Sequence, residues 1–314
     1  MKSNYRNYFK AGKLYQWNKD NTVFTITSDV YNKNLEFCLD KFGMDMLLKF
    51  DNPTVVLENN QLKVESGNIK ASIPTIAEGL MIPKLKEVSE EQLAMEPELA
   101  HDVFDLSIDA LKYATSFVGT DPKKVILTGV NIQNKRVNAS DSFSAYSKEF
   151  DIDAKINLTI PKPFIDEISK VAKGILHFES DGRTLYTVVD DVEYYSVLLE
   201  GSFPNVSKIF AGIEASIART ITSDKNEIQS ILSYVMVPDG KIILSDYLIQ
   251  VQGENTDIQS MCNLDMGEFK IILSLSKFKA AISTISDDNI MFKIKADNAP
   301  IILNDSVMLL PRTQ

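Results

Sequence analysis

Two cysteines, Cys38 and Cys262, two histidines, His101 and His177, and a single tryptophan are all that 314 residues carry of those types. So few cysteines exclude a disulfide framework as what holds the fold, and neither histidine has a Cys, His or carboxylate at ligand spacing, which excludes a zinc site. The 13 glycines are too scattered for a phosphate-cradling loop, and no G-x-S-x-G elbow occurs. No apolar run reaches the roughly eighteen residues that span a bilayer, so no membrane partner is expected. The N-terminal MKSNYRNYFKAGKLYQ lacks the apolar core and small-residue cleavage site of a signal peptide. A reducing, cytoplasmic setting is expected.

Basic residues are also scarce, 33 Lys and Arg against 43 Asp and Glu for a net charge of −10. The excess is spread along the chain, with 12 basic against 14 acidic residues over 1–100, 12 against 16 over 101–209 and 9 against 13 over 210–314. This argues against tight phosphate neutralisation, which needs clustered cations, but allows weak DNA holding if the bases line one surface and the acids lie elsewhere. Asp151-x-Asp153, Asp190-Asp191 and Asp287-Asp288 are the candidate magnesium pairs. All three fall where hairpins or loops turn, and turn solvation accounts for them. A metal-dependent hydrolase is the enzymatic alternative they would have to support. Otherwise no enzyme, metal or cofactor is expected.

The chain repeats a grammar. Leu106 to Gly119 reads as a helix with a stripe of Ala110, Leu111, Ala114, Phe117 and Val118, capped by Ser107. VILTGVNIQ and RVNASDSFSAYSKEF follow as a pair of strands. Pro161 and Pro163 then open a second helix with Phe164, Ile165, Ile168, Val171 and Ala172 on one face, stopped by Gly174. ILHFES, an Asp181-Gly182 turn, RTLYTVV, an Asp190-Asp191 turn and VEYYSVLLEG make a three-stranded meander. The pattern returns with Asp224 and Glu227 as a capping box before Ile228, Ile231, Leu232 and Val235. Ser274 then caps a helix carrying Phe278, Ala281, Ile282 and Ile285, and the strands IMFKIKA, PIILN and VMLLP close the chain. Helix starts near 106 and 223 are about 117 residues apart, and those near 162 and 275 about 113, as a duplication requires.

The first part holds half the pattern. LDKFGMDMLLKF reads as a helix interrupted by Gly43, followed by strands turning at Asn59-Asn60 and Ser66-Gly67. Either its first helix is lost or compressed, with YRNYFKAG a short remnant, or the unit has been rebuilt. LKEVSEEQLAMEPELAH reads as a charged linker and SFPNVSKIFAG as a second link. Residues 1–100, 101–209 and 210–314 are thus the expected modules. Repeated helix-plus-meander units are common to many α+β proteins, so the repeat alone does not specify function.

The order of particular segments does. LTIPKPFIDEISK followed by VEYYSVLLEGSFPNV resembles the second module of the bacterial sliding clamp, the beta subunit of DNA polymerase III. SGNIKASIPT resembles the end of that family's first module, ILTGVNIQ with VNASDSFSAYSKEF the start of the second, and VMLLPRTQ the last strand and tail. Together they cover most of residues 55 to 314. The resemblance implies an α+β DNA clamp fold in which a head-to-tail homodimer encloses double-stranded DNA, helices lining the hole and antiparallel sheets outside. Such a processivity factor has no active site and tethers the replicative DNA polymerase after a clamp loader has placed it on DNA. Family members are usually longer, and the missing length falls in the first module. That compaction suits a bacteriophage or plasmid clamp working in the host cytoplasm. The alternative is a clamp-like protein-interaction scaffold that does not encircle DNA.

In a ring of that kind the polar faces of the helices look inward, making Lys41, Lys49, Lys112, Lys170, Lys173, Lys225, Lys277 and Lys279 the DNA-facing candidates. Lysine suits a sliding contact because it attracts phosphate without reading bases, although helix lysines are also ordinary solvated residues. The resemblance also implies a cleft for a partner's peptide. Its wall is expected from Ser140, Ser142, Phe143, Ser144 and Ala145, from Phe203, Pro204, Ser207, Lys208 and Ile209, and from Met308, Leu309, Leu310, Pro311 and Arg312. Leu309 and Ile209 equally fit ordinary core positions. Where the family places His-Arg-Leu after an Asp-Gly turn, this chain has Phe143, Ser144 and Ala145 after Asp141-Ser142, so partner preference is expected to differ.

Overall fold

The computed structural model describes residues 6–10, 12–17, 23–27, 35–76, 102–153, 155–237, 240–254 and 256–312. The expected charged linker and His101 lie outside them. In chain order the described residues begin with strands β1 (Arg6–Lys10), β2 (Lys13–Trp17), β3 (Val23–Thr27) and β4 (Glu36–Leu39). Helix α1 (Lys41–Leu47) and strands β5 (Thr54–Glu58), β6 (Gln61–Ser66) and β7 (Ile69–Pro74) follow. Next come β8 (Asp102–Ser107), α2 (Ile108–Thr115), β9 (Gly129–Gln133), β10 (Arg136–Ser140) and β11 (Ser144–Glu149). The pattern continues with β12 (Asn157–Pro161), α3 (Lys162–Ile168), β13 (Ile175–Ser180), β14 (Thr184–Val189) and β15 (Val192–Val197). Helix α4 (Val206–Glu214) precedes β16 (Arg219–Asp224), α5 (Lys225–Ser233), β17 (Lys241–Ser245), β18 (Leu248–Gly253) and β19 (Thr256–Met261). The last group is β20 (Ile271–Ser274), α6 (Leu275–Thr284), β21 (Asn289–Ile294), β22 (Ile301–Leu303) and β23 (Val307–Leu309).

The repeat is therefore strand, helix, three strands, and among the described residues it occurs five times, led by β4, β8, β12, β16 and β20; β1–β3 form a further triplet. The sequence grammar was right in helix spacing, since α2 and α5 start at 108 and 225 and α3 and α6 at 162 and 275. It missed the strand that runs into each helix. Leu106 and Ser107 belong to β8, not to the helix, and three strands, not two, follow α2: a 3-10 segment at Pro122–Thr128 leads into β9, β10 and β11. Within YRNYFKAG, Arg6–Lys10 is a strand paired with both β2 and β4, which corrects the helix-remnant reading.

By packing, the chain forms two compact units, one of 1–108 with 163–198 and the other of 109–162 with 199–314. In the first, an antiparallel sheet runs β4-β1-β2-β3-β15-β14-β13-β8 and a smaller one β5-β6-β7. Met44 and Leu47 of α1 bury against Phe9, Leu14, Phe37 and Leu39 of the large sheet and Leu62, Val64 and Ile73 of the small one. Gly43 sits on that buried face, where a Cβ would meet Ile73 Cγ2 at 3.0 Å. The residue that interrupts the apolar pattern is thus the one that lets the helix approach the sheet. On α3, Phe164, Ile165 and Ile168 are fully buried, whereas Val171, expected on the same stripe, is 47% exposed because the helix has already ended.

In the second unit the sheets run β12-β9-β10-β11-β23-β22-β21-β16 and β19-β18-β17-β20. The helix stripes pack as their spacing dictates: Phe117, just past α2, stacks on Tyr146 of β11 at 5.8 Å, and Phe278 of α6 on Phe292 of β21 at 6.5 Å. Helix α4, read from sequence as a link, is capped by Asn205 Oδ1, which accepts from the Lys208 amide. It buries Val206 and Phe210 beside Ala145, Ile302 and Met308.

Candidate DNA face and peptide cleft

The eight candidate lysines all lie on or just beyond the helices of the five strand–helix repeats. Lys41, Lys49, Lys112 and Lys173 are exposed. Lys170 is exposed and paired with Glu167 three residues before it. The other three point at protein acceptors. Lys225 Nζ donates to the Ile285 carbonyl and Lys279 Nζ to the Val235 carbonyl, the latter at 2.7 Å. Lys277 Nζ donates to the Ser116 carbonyl at 2.9 Å and pairs with Asp141 at 2.7 Å, lying over the Phe117 ring. Lys225, Lys277 and Lys279 are therefore tied ammonium groups capping carbonyls and a carboxylate, a use invisible to a reading of helix faces.

The three cleft segments do meet. Strands β11 and β23 pair antiparallel with Ser144 opposite Leu309 and Ala145 opposite Met308, and the Leu310 amide donates to the Phe143 carbonyl at 2.9 Å. Phe203 joins Ala145 and Met308 in one buried cluster with Leu127, Val206, Phe210 and Ile302. Ser144, Ala145, Phe203, Met308 and Leu309 are accordingly core. What remains accessible is a rim: Ser142, Phe143, Pro204, Ser207, Lys208, Ile209, Leu310 and Arg312 are exposed and Ser140 and Pro311 half-buried. Leu309 and Ile209, which fitted groove or core equally, separate into core and rim.

Asp141, left out of the expected wall, organises it. Its Oδ1 accepts from the Phe143 amide at 2.9 Å, the Ser144 amide at 2.6 Å and the Ser144 hydroxyl at 2.9 Å. Burial works to raise its pKa, but Lys277 and these donors outweigh burial and hold the carboxyl below its ordinary value. An Asp two and three residues before the amides it caps is the one signal that could have found it. Beyond the rim, the Arg312 amide donates to the Ile272 carbonyl at 2.8 Å and its guanidinium reaches Ser274 Oγ at 3.3 Å, tying the tail to the start of α6.

The remaining chemistry-bearing side chains are dispersed. His177 sits on β13 with Nδ1 2.8 Å from Asp105 Oδ1 on the neighbouring β8, an exposed cross-strand pair. Burial pushes both thiols, Cys38 and Cys262, up to about 11, so both stay protonated at neutral pH. Asp153 caps a turn at the Lys155 amide, Asp190 and Asp191 occupy left-handed turn positions, and Asp287 accepts from Asn304. Among the described residues no three His, Cys, Asp or Glu side chains are placed to hold a metal ion.

Comparison with known proteins places this architecture. The Eubacterium rectale putative DNA polymerase III beta subunit superposes with a TM-score of 0.76 at 15% identity, covering 98% of this chain and 91% of that one. The Helicobacter pylori beta clamp, solved with a DNA ligase peptide, gives 0.73 at 15% identity over 99% of this chain and 92% of that one. In sequence, the beta sliding clamp of Mycoplasma capricolum is 23% identical over 294 residues, 84% of this chain and 75% of that protein. The fold is that of the bacterial beta sliding clamp, and the sequence is distantly related to it. No protein-family model matches the chain. Among the described residues the triplet β1–β3 has no leading strand and helix, which every other triplet has. No helix among the described residues is long and apolar enough to cross a membrane.

Proposed function

We propose that the chain is a DNA sliding clamp: two copies close head to tail around duplex DNA, each contributing three modules, 1–100, 101–209 and 210–314, and tether a replicative polymerase. The observation that carries this reading is an unfinished pattern in the sheets. The third strand of one triplet pairs antiparallel with the third strand of another at β3·β15 and again at β11·β23. Among the described residues two third strands, β7 and β19, are left at sheet edges. An unpaired edge with exposed apolar residues is a template for another chain, and Ile69 of β7 is 64% exposed and Met261 of β19 72%. Pairing β7 of one copy with β19 of the next repeats the junction used twice within the chain, and a heterologous contact of this kind closes when the rotation closes.

Within such a ring Lys41, Lys49, Lys112, Lys170 and Lys173 supply the diffuse phosphate attraction, the chain has no catalytic role, and it works in the cytoplasm, the host's if phage-encoded. The rim around Phe143, Leu310 and Pro311 receives linear peptides from the polymerase and the clamp loader; the Helicobacter pylori clamp bound to a DNA ligase peptide supports a peptide site on this fold. The tied state of Lys225, Lys277 and Lys279 favours a second reading, a scaffold that does not encircle DNA. Retention on DNA separates the two. A loaded ring leaves linear DNA through its open ends and stays on closed circular DNA, so loss from the circle is expected to be at least ~10-fold slower at moderate salt. Equal loss from circle and line after confirmed loading overturns encirclement and leaves the scaffold.

A further inference from the structure

We propose that Lys277 is a positioning residue of the peptide cleft, acting through Asp141 to hold the Phe143 ring as the anchor on which a partner's bulky aliphatic or aromatic side chain packs; this rests on the cleft reading above. Phe143 is 71% exposed, an uncommon state for a phenylalanine in a loop that is otherwise well tied. The residue before it, Ser142, is held at φ 79°, a left-handed conformation costly for a residue with a Cβ. Such a turn persists when its surroundings over-determine it. Here Asp141 fixes both following amides, Lys124 Nζ donates to Ser142 Oγ at 3.1 Å, and the Leu310 amide holds the Phe143 carbonyl.

Asp141 in turn is fixed by a single cation. Lys277 comes from the first turn of α6 and is itself oriented by the Ser116 carbonyl and the Phe117 ring. The Asp141 side chain is only 15% exposed and that of Lys277 28%, so the pair is shielded from solvent far more than a surface ion pair. The same helix start holds the other wall, because Ser274 precedes α6 and receives Arg312 from the tail. One helix N-terminal turn thus fixes both sides of a rim in which exposed Phe143 and Leu310 are joined by a backbone hydrogen bond. An exposed aromatic carried on a tied backbone beside an exposed aliphatic suits a hot-spot contact, since the backbone that presents it is already ordered when the partner binds.

The test uses the full chain and two probes, griselimycin, bound by the Pseudomonas aeruginosa clamp, and the DNA ligase peptide bound by the Helicobacter pylori clamp. Lys277→Met is expected to raise amide hydrogen exchange at Phe143 and Ser144 by ~10-fold, with β9 and β10 unchanged, and to weaken the tighter-binding probe by ~10-fold. Asp141→Asn and Phe143→Ala should weaken it similarly, and Lys277→Arg should restore affinity, which a general loss of packing would not predict. Leu310→Ala serves as the separate control on the cleft. Loss of affinity in Leu310→Ala with full affinity in Lys277→Met overturns the positioning role and leaves the cleft standing. Unchanged affinity in both, or no binding of either probe by the unaltered protein, overturns the cleft reading and this inference with it.

Discussion

Asp141 gathers an ammonium, two amides and a hydroxyl onto one largely buried carboxylate, so its protonation has a consequence for folding. Its pKa is lower in the folded chain than in the unfolded one, where an aspartate titrates near ~3.9. Its contribution is therefore fully present above that value and is lost as pH falls through the folded pKa. Asp141→Asn keeps an acceptor oxygen and removes the charge, and is expected to cost about 2 kcal/mol at neutral pH. Denaturant midpoints of the two proteins should differ at neutral pH and converge below about pH 4. A gap that does not narrow at any acid pH would assign the stabilisation to shape and not to charge. At this scale the sequence was half legible. Lysines at the polar positions of short helices were identifiable from periodicity, and five of the eight are exposed. The fate of Lys277 was not, because its partner Asp141 is brought to it only by the pairing of β11 with β23 and the docking of α6.

At the scale of elements, helices were found and the strands leading into them were overlooked, for one physical reason. In four of the five repeats the lead strand passes into its helix with no residue between, as at Asp224-Lys225, and in the other Asp40 alone separates Leu39 from Lys41, so outside Pro161-Lys162-Pro163 no glycine or proline pair marks the boundary. Helix α4 was hidden by the opposite problem: Pro204, Ser207 and Gly212 give a link-like composition, while Asn205 and the pair Val206 and Phe210 carried the cap and stripe that identify it. The capping box at α5 was half right. Asp224 Oδ1 accepts from the Asn226 amide at 2.7 Å, but the Glu227 carboxylate turns away and accepts from the Asn263 amide at 3.2 Å. The two residues should then separate on substitution. Asp224→Ala is expected to cost about 1 kcal/mol through the helix start. Glu227→Ala should leave α5 intact and raise hydrogen exchange at Asn263. Equal exchange increases along α5 in both variants would restore the reciprocal box.

For the whole molecule, the question is whether the two sheet edges left unpaired among the described residues find each other between copies. The two internal junctions show what a junction needs: strands of the same rank in the repeat, antiparallel, joined without an intervening turn. Strands β7 and β19 have that rank, and each carries an exposed large apolar residue at one end, Ile69 and Met261. Each copy carries one of each edge, so two copies satisfy all four edges and no further copy can add. A single substitution at such an edge acts at both junctions of the closed dimer. Met261→Asp places a charge on the edge that would otherwise be covered, and burying an uncompensated carboxylate costs several kcal/mol per junction, more than enough to shift a micromolar dimer to monomer. Native mass measurement should accordingly give twice 35.2 kDa for the unaltered chain and 35.2 kDa for Met261→Asp and for Ile69→Asp. Because both side chains are exposed in the single chain, circular dichroism and thermal unfolding of the monomeric variants should show the same fold. Retention on circular DNA should fall to that on linear DNA in both. A dimer that survives both substitutions would place the contact between copies on some other surface, and the leftover edges would then need another cover.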